Sequence, residues 1–120
     1  MNLVFIGLAA VAGALARYGI SPYFAGGNFP WGTLLVNILG CFLAGIVWNF
    51  NDSRLYVAAM VGFLGSFTTF SAFSLETNLL FSRTPAQGIA YVCASIIGCQ
   101  MAVLAGVFCG KLGSEHLLKL

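Results

Sequence analysis

The stretch from Gly62 to Phe73 reads GFLGSFTTFSAF, and it sets two glycines, four hydroxyl residues and four phenylalanines in twelve positions. Glycine is flexible, and serine and threonine compete for backbone hydrogen bonds, so the run weakens any helix that contains it. The residues around it are apolar, which places the weak point inside a membrane span. In hydrocarbon an unpaired backbone survives only where protein buries it or where it lines a wet cavity. Broken helices serve this purpose at membrane depth, offering carbonyl oxygens and helix ends to an ion or substrate. Residues 66–71 are therefore the predicted break and the first candidate site.

The elements that position this stretch follow from composition. The chain has 120 residues, enough for one domain, of which 60% are hydrophobic and 7% charged; soluble domains carry roughly 25% charged residues. Mean hydropathy is +0.97. No soluble fold of this size hides so much apolar surface, so the chain is an all-α integral membrane protein. Uncharged runs cover 1–16, 18–51, 55–75 and 84–110, and one span takes roughly 20 residues. Four transmembrane helices are predicted: 3–20, 31–50, 55–81 with the break, and 86–110. The N-terminus lacks a basic leader region, so the first run reads as a span and not as a cleaved signal. With four spans, Arg54, Lys111 and Lys119 share one side, and Arg17 and Arg83 the other. Three against two is a weak bias, and loop Lys/Arg bias sets orientation. The expectation is insertion both ways up, with antiparallel pairing of two copies.

Within these spans a few residues stand out. Arg17 ends helix 1 and reads either as a snorkelling end charge or as a vestibule charge or internal partner. Asn37 lies two turns inside helix 2, where an amide needs a partner; interhelical glue and a donor to an anion are the two readings. Trp31 and Trp48 stand 17 residues apart, about 26 Å of helix, close to the spacing of two aromatic belts. Glu76, the only acid inside a predicted span, is read as an interfacial carboxylate or a functional one. Phe70 and Phe73, at i,i+3, share a face. Such a pair is lipid-facing or core, or it presents positive ring edges to an anion. In helix 4, Gly98, Ala102, Gly106 and Gly110 form a small-residue ridge for close packing, and Tyr91, Ser95 and Cys99 form a weakly polar ridge beside it. The four cysteines fit no zinc spacing and read as small buried hydrophobes.

Taken in order, Gly13-x3-Arg17-Tyr18, Pro30-Trp31-Gly32-Thr33-Leu34-x-x-Asn37-x-x-Gly40 and Gly62-Phe63-x-Gly65-x-x-Thr68-Thr69-Phe70-Ser71-x-Phe73-Ser74-x-Glu76 resemble the Fluc (CrcB) family of bacterial fluoride channels, across essentially the whole chain. The resemblance implies a multi-pass protein of the bacterial inner membrane, and a dual-topology antiparallel homodimer with two pores that conduct fluoride passively. It also implies a structural sodium ion between the two helix-3 breaks, held by the backbone carbonyls of Gly65 and Thr68 from both copies. By the same resemblance each pore is lined by Phe70, Phe73, Asn37, Ser71, Tyr91 and Ser95, with Arg17 and Glu76 as vestibule or structural charges. The chain departs from the family at Ala72, where many members have threonine, and in helix 4, where Cys99, Met101 and Val103 follow Ser95.

Two rival readings remain. A small four-helix multidrug/proton antiporter matches in length and charge bias, but it needs an acid in helix 1, and helix 1 has neither Asp nor Glu. A non-conducting membrane assembly protein would use the glycine ridges but has no need of a broken helix. No pair of catalytic groups faces a common site, so an enzyme is not expected, and neither is nucleic-acid binding.

Overall fold

A computed structural model describes residues 2–119. The chain is helical throughout: α1 (Leu3–Ile20), α2 (Trp31–Val47), a composite third segment, and α6 (Pro85–Leu118). The third segment runs from α3 (Ser53–Val57) through a π-helical stretch (Ala58–Leu64) into the short α4 (Gly65–Phe67). It then breaks at Thr68 and Thr69 and resumes as α5 (Phe70–Arg83). Leu3–Phe24, Ser53–Arg83 and Pro85–Leu118 are long and apolar enough to cross a membrane; α2 is apolar but shorter.

The helix ends follow from local chemistry. Asn2 caps α1 by accepting from the Val4 N–H. Asp52 Oδ1 accepts from the N–H groups of Arg54 and Leu55 at 2.8 and 3.2 Å, which starts the third segment at Ser53. Proline at its first position opens α6, whose fixed φ suits a helix start, and Thr84 alone connects α5 to α6. Between α1 and α2 a single turn of 3₁₀-helix (Ser21–Phe24) leads to Gly27, whose φ of +85° needs glycine.

Two boundaries differ from the sequence reading. The second helix stops at Val47 and not at 50, because Trp48 and Asn49 turn the chain back, and the Asn49 amide donates to the carbonyls of Gly45 and Val107. The last helix continues through Lys111 to Leu118 instead of ending at 110. Lys, Leu and Glu are good helix formers and carry the helix past Gly113. Its 34 residues span about 51 Å, longer than the roughly 30 Å of hydrocarbon.

Small residues set the packing. α2 and α6 run the same way and touch along their glycines: a Cβ at Gly106 would strike the Phe42 carbonyl, one at Gly98 would lie 2.9 Å from the Ile38 side chain, and one at Gly110 would strike Asn49. Likewise α1 lies against the π-helical stretch, with Gly13 on the Phe63 carbonyl and Gly62 on Ile6 and Ala9. A π-helix is rare and recurs at functional sites. Interior packing is limited. Leu34, Leu80 and Tyr91 form a small core with Phe29, Ile38, Phe73 and Ala94 around it, while large apolar side chains along α1, α5 and α6 stay uncovered. Lipid or a further chain must meet them.

Candidate functional site: the helix break and its two cavities

The break occupies two residues, Thr68 and Thr69, both in extended conformation (ψ 158° and 108°). It is narrower than the predicted 66–71, because Ser66 and Phe67 stay helical and Phe70 already starts α5. Two threonines suffice because each carries its own substitute hydrogen bond. Thr68 Oγ1 turns back to the Leu64 carbonyl at 2.9 Å, and Thr69 Oγ1 caps α5 by accepting from the Ala72 N–H at 3.2 Å.

Asn37 closes the break from α2. Its Oδ1 accepts from the Thr69 N–H at 2.8 Å, and its Nδ2 donates to the Thr69 carbonyl at 3.1 Å. One amide thus satisfies the Thr69 N–H and adds a partner to the Thr69 carbonyl, which as the N-cap of α5 also accepts the first bond of that helix. The second Nδ2 hydrogen is left over. α2 can come this close because Gly40 faces Thr68 Cγ2, where a Cβ would collide.

The main-chain partners that a continuous helix would give to Gly65 and Thr68 go elsewhere. The Thr69 N–H, due to Gly65 O, goes to Asn37, and the Ala72 N–H, due to Thr68 O, goes to Thr69 Oγ1. These two carbonyls are hard oxygen donors of the kind a sodium ion takes, so the chemistry fits the ligand set expected from the sequence. Thr68 O is also shared: Arg17 Nη1 donates to it at 3.3 Å. The end charge of α1 therefore reaches inward to the break, and its partner there is a carbonyl and not a carboxylate.

Two cavities flank the break. The larger, about 710 Å³, holds Arg17, Tyr18, Thr33, Thr69 and Ser71. The second, about 400 Å³, holds Asn37, Phe70, Phe73, Ser95, Cys41 and Cys99 among its walls. The structure thus brings Asn37, Phe70, Phe73 and Ser95 together. The rings of Phe70 and Phe73 lie 5.5 Å apart, tilted by 43°, and Phe70 is 78% exposed. Ser95 is only 7% exposed, and its Oγ has no hydrogen-bond partner. Ser71 is not in this group; it lies on the Arg17 side, 3.3 Å from Thr69 Oγ1.

Tyr91 is placed differently again. Its side chain is fully buried, its ring packs on Phe73 at 5.3 Å and edge-on to Phe29 at 5.5 Å, and its hydroxyl donates to Glu76 Oε2 at 2.7 Å. Thr33 Oγ1 donates to the other carboxylate oxygen, also at 2.7 Å. Glu76 is thus held by two hydroxyls from two helices, near the turn that joins α1 to α2. Charge-assisted bonds of this length are strong. The Gln87 Oε1 is a second buried oxygen without a partner, beside Glu76 and Arg83.

Sequence reasoning gave no individual role to Thr33, placed Thr69 only within the predicted break, and read Cys41 only as a small hydrophobe. The available signal is spacing: Thr33, Asn37 and Cys41 recur at i+4 along α2, and Gln87, Tyr91, Ser95 and Cys99 along α6. The glycine contacts turn these two ridges toward one another.

An all-helical, largely apolar chain with three helices long enough to span and an interrupted third segment flanked by two cavities defines a multi-helix membrane protein. Residues 4–107 match the family described as CrcB-like protein, Camphor Resistance (CrcB). A relative from Hahella chejuensis, named Fluoride-specific ion channel FluC, is 43% identical over 92% of this chain and 95% of its own length. A namesake from Desulforapulum autotrophicum is 43% identical over 92% and 97%. Fluoride-specific ion channel FluC 2 of Listeria innocua is 36% identical over 98% and 99%. The chain belongs to the CrcB family, whose relatives carry the name of ion channels and not of enzymes.

Proposed function

We propose that the protein is a fluoride channel that lets the anion leave the cytoplasm passively across the bacterial inner membrane. The carrying observation is the cavity of Asn37, Phe70, Phe73 and Ser95, with a buried hydroxyl that has nothing to bond. A bare anion is prohibitively unstable in hydrocarbon, so a path through it must replace lost water. The Ser95 hydroxyl and the spare Nδ2 hydrogen of Asn37 are free donors at the cavity. The rings of Phe70 and Phe73 add positive edges. None of the side chains lining this cavity is ionised, so the anion meets attraction without a full charge that would trap it. A narrow path with short hydrogen bonds favours small fluoride over chloride. Ser71 extends the path on the side of the larger cavity, where Arg17 draws anions, and Tyr91 packs the wall behind Phe73.

The working unit in this proposal is an antiparallel homodimer in the lipid bilayer with two such paths. The high exposure of Phe70 and the uncovered apolar helix faces support a second copy. The carbonyls of Gly65 and Thr68 from both copies would hold one structural sodium ion, which supplies a fixed positive charge. Glu76, held by Thr33 and Tyr91, ties α5 to α2 and α6. The test is efflux from liposomes carrying the purified protein. Fluoride is expected to leave fast while chloride stays; equal rates would overturn the reading. Single-molecule labelling of both termini should find the two orientations in equal numbers, and one orientation alone would overturn the antiparallel dimer.

A further inference from the structure

The same cavity carries a feature that anion passage does not use. Cys41 lies one turn beyond Asn37 on α2, and Cys99 one turn beyond Ser95 on α6; both are half-buried, both are free, and both line this cavity. The helices run the same way and are clamped on either side of the pair, at Ile38–Gly98 and at Gly45–Gly106. The clamps set the two ridges against each other, so both cysteines line the same cavity from facing helices. The other two cysteines, Cys93 and Cys109, are exposed and do not line this cavity.

We propose that Cys41 and Cys99 together bind one soft, two-coordinate cation of the mercury(II), silver(I) or copper(I) class within the cavity. Thiol sulfur selects soft metals. Among the described residues no group of three or more His, Cys, Asp or Glu side chains could hold a metal. That removes the tetrahedral set a structural zinc ion takes and leaves a linear pair. Charge balance favours the same class. Mercury(II) forms two S–Hg bonds, breaks two S–H bonds, and sends two protons to water, so the site stays neutral. Silver(I) or copper(I) displaces one proton and keeps one thiol, again without net charge. Neutrality matters because an uncompensated ion in this medium costs far more than a neutral site. No oxidation or reduction takes place. The site rests on the cavity and the two thiols, and not on the fluoride reading.

The experiment uses full-length protein with Cys93→Ser and Cys109→Ser, so that the pair alone remains, treated with mercury(II) chloride. Intact mass is expected to show one mercury per chain with two hydrogens lost and no chloride kept. Two mercury atoms per chain, each with its own chloride, would overturn the proposal. The bridged metal should survive a wash with a monothiol and be lost on adding Cys41→Ser or Cys99→Ser. Equal retention in either variant would also overturn it. Fluoride efflux from liposomes separates the two readings. A block that needs both cysteines supports the site and puts it on the conducting route. A bridged metal with unchanged efflux leaves the metal site standing and takes this cavity out of the route.

Discussion

Two polar clusters lie one helical turn apart on the same ridge of α6, and they are built on opposite terms. Around Tyr91, the acid Glu76 has both oxygens occupied, by the hydroxyls of Tyr91 and Thr33, and the tyrosine ring is sealed by phenylalanines. Around Ser95, a buried hydroxyl faces a cavity and bonds to nothing. Inside a membrane a polar group without a partner is expensive. A cluster in which all the hydrogen bonds close is glue, and one left open in a cavity is a place for a guest. Asn37 spans both terms: it closes the Thr69 backbone and still has one hydrogen to give.

The comparison can be broken by mutation, the largest effect first. Asn37→Leu strips the Thr69 N–H of its partner and the Thr69 carbonyl of one of its bonds. The orphaned N–H costs about 1–3 kcal/mol, so thermal unfolding in detergent should move down and efflux should vanish. A fully stable variant would mean the break holds itself. Next comes Tyr91→Phe, which leaves the core volume intact but removes one bond to a carboxylate. A loss of about 1.5–3 kcal/mol is expected, read as a lower denaturation midpoint. Phe70→Ile should leave stability nearly unchanged, because the ring is exposed, while fluoride efflux falls by roughly tenfold, the equivalent of about 1.4 kcal/mol at the barrier. Unchanged efflux would remove the ring from the path. The smallest structural effect belongs to Ser95→Ala. No hydrogen bond is lost, so the denaturation midpoint should hold or rise while efflux drops; a destabilised but fully conducting variant would reverse the roles assigned to the two clusters.

Much of this was legible in the residues. The broken third helix was visible because glycine, serine and threonine crowd a stretch that lipid would otherwise keep helical, and the motifs around it carried the family. The packing ridge of α6 was visible for a similar reason, since glycines at i+4 in an apolar run have few other uses. The partners of the polar residues were not visible. Arg17 and Thr68 are 51 positions apart, and Asn37 and Thr69 are 32 apart; no local pattern links them. Tyr91 shared a ridge with Ser95, and spacing treated the two alike. Only the approach of α5 showed that one hydroxyl is spent on Glu76 and the other is free.

What the sequence determined alone is therefore a medium and a weak point: a chain too apolar for water, with one place where its own residues refuse to stay helical. Those are properties of composition and of short-range hydrogen-bond competition, and they are written in neighbouring residues. Which oxygens and hydroxyls end up satisfied was decided by the tertiary structure, because a hydrogen bond depends on distances of about 3 Å between groups that only the packing of α1, α2, α5 and α6 brings together.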